Sequence, residues 1–361
     1  MEEKLSSKCA GCGNTMVFDP ESQNLKCSHC GGAQVINSGS NVLKKEFTSL
    51  SRVNKTDSVS VTHECETCGA TTNIDDLRLT GICPYCGSSN LHELSQSIEF
   101  KPDGILPFKI SKQTATAKYK EWIRTRKFVP NKLKSSAKIN KMEGVYFPCW
   151  NFDFLVFTKY SGVGVENHTR TVHRRGPDGR TIVDHEHYTT RHPFSGSRND
   201  DFKDFVSVAG NHTVNQDEYE KLGRFGFAEN LKVYNPAYLL GFASSEFTSN
   251  LQSGYANAKL MSEKEIEHRI KRKHNYDSYD FFKMNSTHSN IMWNYLYLPV
   301  WVCGFKFGKK DYRFLVNGAT GYVTGKVPRS GWKIFGLVMG ILLGIAAIGF
   351  GIYMAVENGY I

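Results

Sequence analysis

Cys9-Ala10-Gly11-Cys12-Gly13 and Cys27-Ser28-His29-Cys30-Gly31 stand near the start of the chain, and Cys65-Glu66-Thr67-Cys68-Gly69 with Cys83-Pro84-Tyr85-Cys86-Gly87 repeats them. Fourteen residues separate the inner cysteines of each unit, and each cysteine of the first recurs 56 positions later, an internal repeat. Two cysteines three apart on a tight turn aim both thiolates at one point. The glycine that follows lets the backbone turn so that its amides face the sulfurs. Two such knuckles give four sulfurs, a closed tetrahedral site with no position left for substrate. The spacing predicts two structural zinc ions, one on Cys9, Cys12, Cys27 and Cys30 and one on Cys65, Cys68, Cys83 and Cys86. A rubredoxin-like iron centre is the other metal that suits such a set. His29 reads as a surface residue, because the cysteines already complete the coordination. Thr15–Phe18 and Asn24–Lys26 read as a short hairpin between the knuckles. A unit this small draws about 10 kcal/mol or more of its folding free energy from the metal.

Eight of the ten cysteines fall in these pairs, which fits a reducing compartment better than a disulfide framework. Met1-Glu2-Glu3-Lys4 leads into no apolar run, so no secretory signal is expected. The 361 residues carry a net charge of +10. Twelve Lys/Arg against two Asp/Glu lie between Lys101 and Lys141, and the rest of the chain is neutral. An anionic lipid surface, a nucleic acid or an acidic protein should therefore meet this one segment.

Ile334 to Val356 is 23 residues without a charge. As a helix it spans about 34 Å, enough for a bilayer core. Trp332 and Tyr353 sit where aromatic rings prefer the interface, and Lys326, Arg329 and Lys333 precede the span. The positive side stays in the cytoplasm, so a single-pass protein of the cell membrane is expected, with its N-terminus and zinc units cytoplasmic. Gly336, Gly340 and Gly344 are four apart and line one face, a surface for close helix packing and self-association.

Between these ends the pattern is mixed. Asn37 to Thr62 reads as a linker, and Ile105-Leu106-Pro107-Phe108 opens a new unit. Ser111 caps a helix running to about Lys127, with Ala115, Tyr119, Trp122 and Ile123 on its apolar face. Lys118, Lys120, Arg124 and Lys127 are the candidate contacts to lipid or polyanion. Tyr146-Phe147-Pro148-Cys149-Trp150 leads into a strand over Asn151–Tyr160. Tyr297-Leu298-Pro299-Val300-Trp301 repeats the Tyr-x-Pro-x-Trp pattern after a charged helix from about Gly254 to Lys273, which points to a duplicated αβ element. Hairpin turns are expected at Gly176-Pro177-Asp178-Gly179 and Asn317-Gly318. No continuous βαβ alternation appears, so the class is α+β. The expected units are residues 1–36 (zinc ribbon), 37–62 (linker), 63–95 (zinc ribbon), 101–330 (α+β) and 332–356 (membrane helix).

Cys149 and Cys303 read as small buried residues. His168, His173, His185, His187 and His192 crowd the first hairpin, and a turn centred on Pro177-Asp178 sets His168 opposite His187. Two histidines make no metal site without a third ligand, so a solvated hairpin is expected. Gly325-Lys326-Val327 lacks the glycine and hydroxyl residue of a phosphate loop, and no hydrolase motif occurs, so nothing argues for catalysis.

Leu106-Pro107-Phe108, Tyr146–Trp150, Asn235-Pro236-Ala237-Tyr238-Leu239-Leu240-Gly241-Phe242, Leu298–Trp301 and Asn317-Gly318-Ala319-Thr320-Gly321 keep one order along the chain. In these elements the protein resembles the bacterial membrane-anchored proteins with TFIIB-type zinc ribbons. Some of these carry a primosomal-helicase label, which the missing phosphate loop argues against. The resemblance implies an envelope-associated scaffold, some of whose relatives are linked with phage-shock-type or flotillin-like membrane proteins. With no catalytic motif present, the expected role is a non-enzymatic membrane adaptor that recruits a protein partner. The histidine-rich hairpin departs from the pattern. The other reading is a membrane-tethered nucleic-acid binder, with Tyr119 and Trp122 beside the basic residues to hold a single strand.

Overall fold

The computed structural model describes residues 8–48, 55–60, 62–66, 71–73, 91–93, 97–131, 133, 142–175, 177, 180–210, 214–245, 249–308 and 310–357. The fold is mixed α+β, built on three long antiparallel strands: Met142–Arg175, Thr181–Val208 and Ser278–Phe307. The first of these lies between the other two. At roughly 3.3 Å per residue the 34-residue strand runs about 110 Å. Its character changes along that length. Val145 to Phe152 are all buried, Leu155 to Tyr160 alternate between exposed and buried, and beyond Glu166 most residues are open to solvent. The third strand stops at Ser278, opposite Val165, so residues from Glu166 onward pair only with the second strand and form a projecting two-stranded ribbon.

The helix Leu251–His274 covers one face of the three strands. Its buried residues, Leu251, Gly254, Ala258, Ser262, Ile266 and Ile270, recur every three or four positions and form one stripe. Three of the six, Gly254, Ala258 and Ser262, are small, which lets the helix axis approach the sheet. Gly254 lies against the Trp150 indole, and a Cβ there would overlap the ring. Gly254→Val should therefore lower the unfolding free energy by about 2–3 kcal/mol. The check is a shifted urea midpoint at unchanged slope.

The ordered motifs of the sequence meet in one aromatic cluster. Phe108 stacks on Phe242 at 4.3 Å and lies 5.0 Å from Tyr146 and 4.9 Å from Trp301. The Phe108 amide donates to the Tyr146 hydroxyl, and Trp301 Nε1 donates to the Ile110 carbonyl. A side chain at Gly318 would meet Phe108, so the Asn317-Gly318 segment is fixed by close approach as well as by its turn.

Proline is unusual inside a sheet because it lacks the ladder amide. Pro148 sits where the first long strand leaves Ala243–Ser244 on one edge and takes up Val208. Pro299 sits where the third long strand leaves Gly104–Ile105 and takes up Lys310–Asn317. Each missing amide thus falls between successive partners. Tyr146 pairs with Pro299 and Pro148 with Tyr297.

Several expectations are corrected. The first helix is Lys112–Thr125, so Lys127 lies beyond it; Arg126 is already extended. Segment 37–62 is more than a linker. Lys45–Glu46 adds to the third long strand at Met292 and Trp293, and Lys55–Ser60 pairs with Ser97–Phe100. Lys44 Nζ reaches Asp153 at 2.5 Å and Asp204 at 2.8 Å, which pins the segment down. The strand expected over Asn151–Tyr160 belongs to one more than three times as long.

Neither Asn317 nor Gly318 has positive φ. The turn is wider, with the buried Asn317 side chain accepting from the Ala319 and Thr320 amides and Gly321 donating to the Asn317 carbonyl. In the long hairpin the pairing closes on Arg175 and Thr181, one residue away from the expected register. His168 faces Tyr188, and His187 faces Thr169 on the other side of the ribbon.

Candidate metal centre

The first cysteine unit forms a small antiparallel sheet of Met16–Asp19, Asn24–Cys27 and Ala33–Gln34. Gly13 (φ 70°) and Gly31 (φ 74°) take the left-handed conformation after each knuckle. Their amides donate to the Cys9 and Cys27 carbonyls at 2.8 and 3.1 Å, closing both turns. The four sulfurs converge. Cys9 and Cys30 Sγ are 3.5 Å apart, Cys12 and Cys27 3.5 Å, and Cys12 and Cys30 3.6 Å. A metal–sulfur bond of 2.3 Å in a tetrahedron requires edges of about 3.8 Å. The set can therefore hold one metal ion with a fractional outward adjustment, and all four ligand atoms lie within 4.8 Å of one another.

The electrostatics are those of a thiolate site. The amides of Cys12 and Gly11 hold the Cys9 thiol below its ordinary range. Those of Cys30 and His29 bring Cys27 down to about 6. Cys12 has the Asn14 amide pulling it down, but the neighbouring sulfurs of Cys27 and Cys30 push it up to about 12. Cys12 thus resists ionising beside Cys9 and Cys27, and a dication removes that conflict.

The ribbon is not an isolated bead. Cys9 and Cys27 are buried with Met16, Phe18 and Leu25, while Cys12 and Cys30 face solvent. The Phe18 amide donates to the Leu240 carbonyl at 2.7 Å, and its ring meets Tyr238 edge-on at 5.1 Å. Gln23 Nε2 donates to the Phe108 carbonyl. The Asn235–Phe242 motif is thus the seat of the ribbon, with a 3-10 turn at Pro236–Leu239 capped by the Asn235 side chain. This docking left no periodic trace in the sequence; only the clustered aromatic residues hinted at it.

In the second unit, Thr62–Cys65 pairs with Thr71–Asn73 and Leu91–Glu93, and Asn73 joins the main sheet at Ser244. Cys68, Cys83, Cys86 and the Cys65 side chain lie outside the described residues. Cys149 and Cys303 are buried and free, and burial raises both thiols, Cys303 to about 12.

Lys118, Lys120, Arg124 and Lys127 are all exposed, opposite the buried Ala115, Tyr119 and Ile123. Ser111 caps the helix through the Thr114 amide, as its position implied. Tyr119 stacks on Phe314 at 3.7 Å, and Trp122 is half-buried with the Arg126 guanidinium 4.5 Å over its ring.

The C-terminal helix Gly331–Glu357 contains a 24-residue stretch, Gly331–Met354, long and apolar enough to cross a membrane. Its mean hydropathy is 2.4 and none of it is buried by the rest of the chain. Open space surrounds Gly336, Gly340 and Gly344. The Ser330 amide donates to the Phe128 carbonyl, and Lys333 Nζ donates to the Val129 carbonyl and Asn131 Oδ1, each at 2.7 Å. The basic segment and the start of the apolar helix are therefore tied together.

Among the described residues, fold and site together define a mixed α+β protein with an N-terminal four-cysteine cluster that can hold a metal ion and one C-terminal helix apolar enough to cross a membrane. No protein-family model matches the chain, and no solved structure matches it. It is similar to the uncharacterized protein YdjG of Bacillus subtilis (strain 168), 27% identical over 243 residues, covering 66% of this chain and 67% of that one.

Proposed function

We propose that the protein is a non-enzymatic adaptor, anchored in the cell membrane by its C-terminal helix and presenting zinc ribbons on the cytoplasmic side to recruit a protein partner. The observation that carries this reading is the closed four-sulfur site. A metal with four protein ligands stabilises a surface and leaves no position for a substrate. On this reading the ion is zinc, and Cys65, Cys68, Cys83 and Cys86 hold a second. The exposed knuckle around Ser28 and His29 is the recruiting surface, and phage-shock-type or flotillin-like membrane proteins are the class of partner that the family resemblance implies. The two Tyr-x-Pro-x-Trp strands are read as copies of one element that supply the rigid platform. Gly336, Gly340 and Gly344 give the membrane helix a face for self-association.

A photocrosslinker placed at His29 in native membranes tests the reading. Capture of a discrete protein supports it; capture of lipid alone, or of nucleic acid, counts against it. The basic residues next to the membrane helix support orientation toward anionic lipid. Each contributes about 1 kcal/mol near such a surface. Reversing Lys118, Lys120, Arg124 and Lys127 to Glu should weaken vesicle binding of the chain lacking its apolar helix by about a thousandfold. Cosedimentation with anionic and neutral vesicles checks this. Nucleic-acid binding has less support, because Tyr119 is withdrawn into the core and Trp122 already carries Arg126. A gel shift at low salt decides that point.

A further inference from the structure

The projecting ribbon carries a second convergence of ligand atoms, away from the thiolates. Glu166 and His168 alternate along the first long strand and share one face. The register sets Thr190 opposite Glu166 and His192 opposite Gly164, on that same face. His168 Nε2 lies 2.7 Å, and His192 Nε2 2.9 Å, from the Thr190 hydroxyl. Glu166 Oε2 lies 3.8 Å from His168 Nε2 and 3.5 Å from His192 Nε2. Two imidazole nitrogens thus meet one small hydroxyl, and a carboxylate oxygen lies within 3.8 Å of both.

The rings are held in place from behind. His168 stacks on Tyr188 at 5.1 Å and 25°, and His192 stacks on Tyr276 at 5.6 Å and 5°. Tyr276 lies over Gly164, where any Cβ would overlap its ring. The absent side chain at Gly164 therefore makes room for the tyrosine that orients His192. These stacks fix which edge of each imidazole faces the centre, as partners behind metal-ligating histidines commonly do.

We propose that Glu166, His168 and His192 bind a divalent transition-metal ion of the zinc class, with the Thr190 hydroxyl turned aside. The donor set is the two-histidine, one-carboxylate kind that such ions favour. The Thr190 oxygen lies between the two rings; for an ion to take its place, metal–nitrogen bonds of about 2.0–2.1 Å need each ring to close in by less than about 1 Å and the Glu166 carboxylate to swing toward them. Rotation of half-exposed side chains supplies that movement. The fourth position faces solvent. His187 points to the opposite face and bonds Thr169, so it is no ligand.

The test uses the full chain in detergent and counts zinc per chain after equilibrium dialysis. At about 1 nM free zinc only the thiolate sites fill; at about 10 μM the wild-type chain gains one further ion. His168→Asn and His192→Asn each lose that ion, Glu166→Gln holds it at least about tenfold more weakly, and His187→Asn keeps it. The proposal is overturned if the wild-type chain gains no ion at the higher concentration. It is equally overturned if His168→Asn and His192→Asn retain the ion, or if His187→Asn loses it.

Discussion

Removing metal from the purified chain is expected to unfold residues 8–36 while the three long strands stay folded. The ribbon's own core is Met16, Phe18, Leu25, Cys9 and Cys27. Burying a large apolar side chain contributes about 1.5–3 kcal/mol, whereas ordering each backbone residue costs about 1–2 kcal/mol. A handful of buried side chains cannot hold a unit of this length. Docking on Tyr238 and Phe242 helps, but only after the ribbon has its shape. The metal supplies the difference, on the order of 10 kcal/mol. Hydrogen exchange should therefore show the amides of Met16–Asp19 and Asn24–Cys27 losing protection by several orders of magnitude. Strand amides such as those of Val300 and Val302 should keep theirs. Cys27→Ser should reproduce the effect of a chelator, and acid should do so too, because protons compete for the thiolates. Unchanged protection at residues 16–27 in metal-free protein would show that the ion is dispensable to the fold.

The second large effect concerns the C-terminal helix. Leu342→Arg with Ile345→Arg is expected to move the chain from the carbonate-resistant membrane fraction to the soluble fraction. Each charge near the centre of a span costs about 2.5–3.5 kcal/mol, against about 0.3–0.6 kcal/mol gained per Leu, Ile, Phe or Val. Two arginines therefore offset the contribution of roughly a dozen apolar side chains. The structure buries none of this stretch, and an exposed apolar surface of that extent calls for lipid or a partner. Fractionation with and without the double substitution checks the point. A wild-type chain that is itself soluble would mean that a protein surface covers the helix instead.

Local features were legible in the sequence, because their physics is local. The Cys-x-x-Cys-Gly spacing favours a tight knuckle, and Cys9, Cys12, Cys27 and Cys30 meet as that spacing requires. Ser111 caps its helix through bonds to its near neighbours, and the apolar span from Ile334 is recognised by length alone. What the sequence withheld was set by distant contacts. Leu106–Phe108, Tyr146, Phe242 and Trp301 stood out as motifs, but no spacing says that their rings meet, or that Phe18 joins them. The segment after Asn37 looked like a linker because its sheet partner, Met292–Trp293, is nearly 250 residues away. The hairpin register slipped because the turn closes on Arg175 and Thr181, and one residue changes every facing pair. That slip had a consequence: it matched His168 with His187 and hid Glu166 and His192, which share its face.

On the proposed reading the metal-held ribbon stands on the cytoplasmic side of a membrane crossed by the last helix. Proteinase treatment of sealed spheroplasts carrying an epitope ahead of Cys9 decides this topology. The epitope is expected to survive in sealed spheroplasts and to be lost once they are lysed. Digestion of the epitope while the membrane is intact would place the thiolates outside and contradict it.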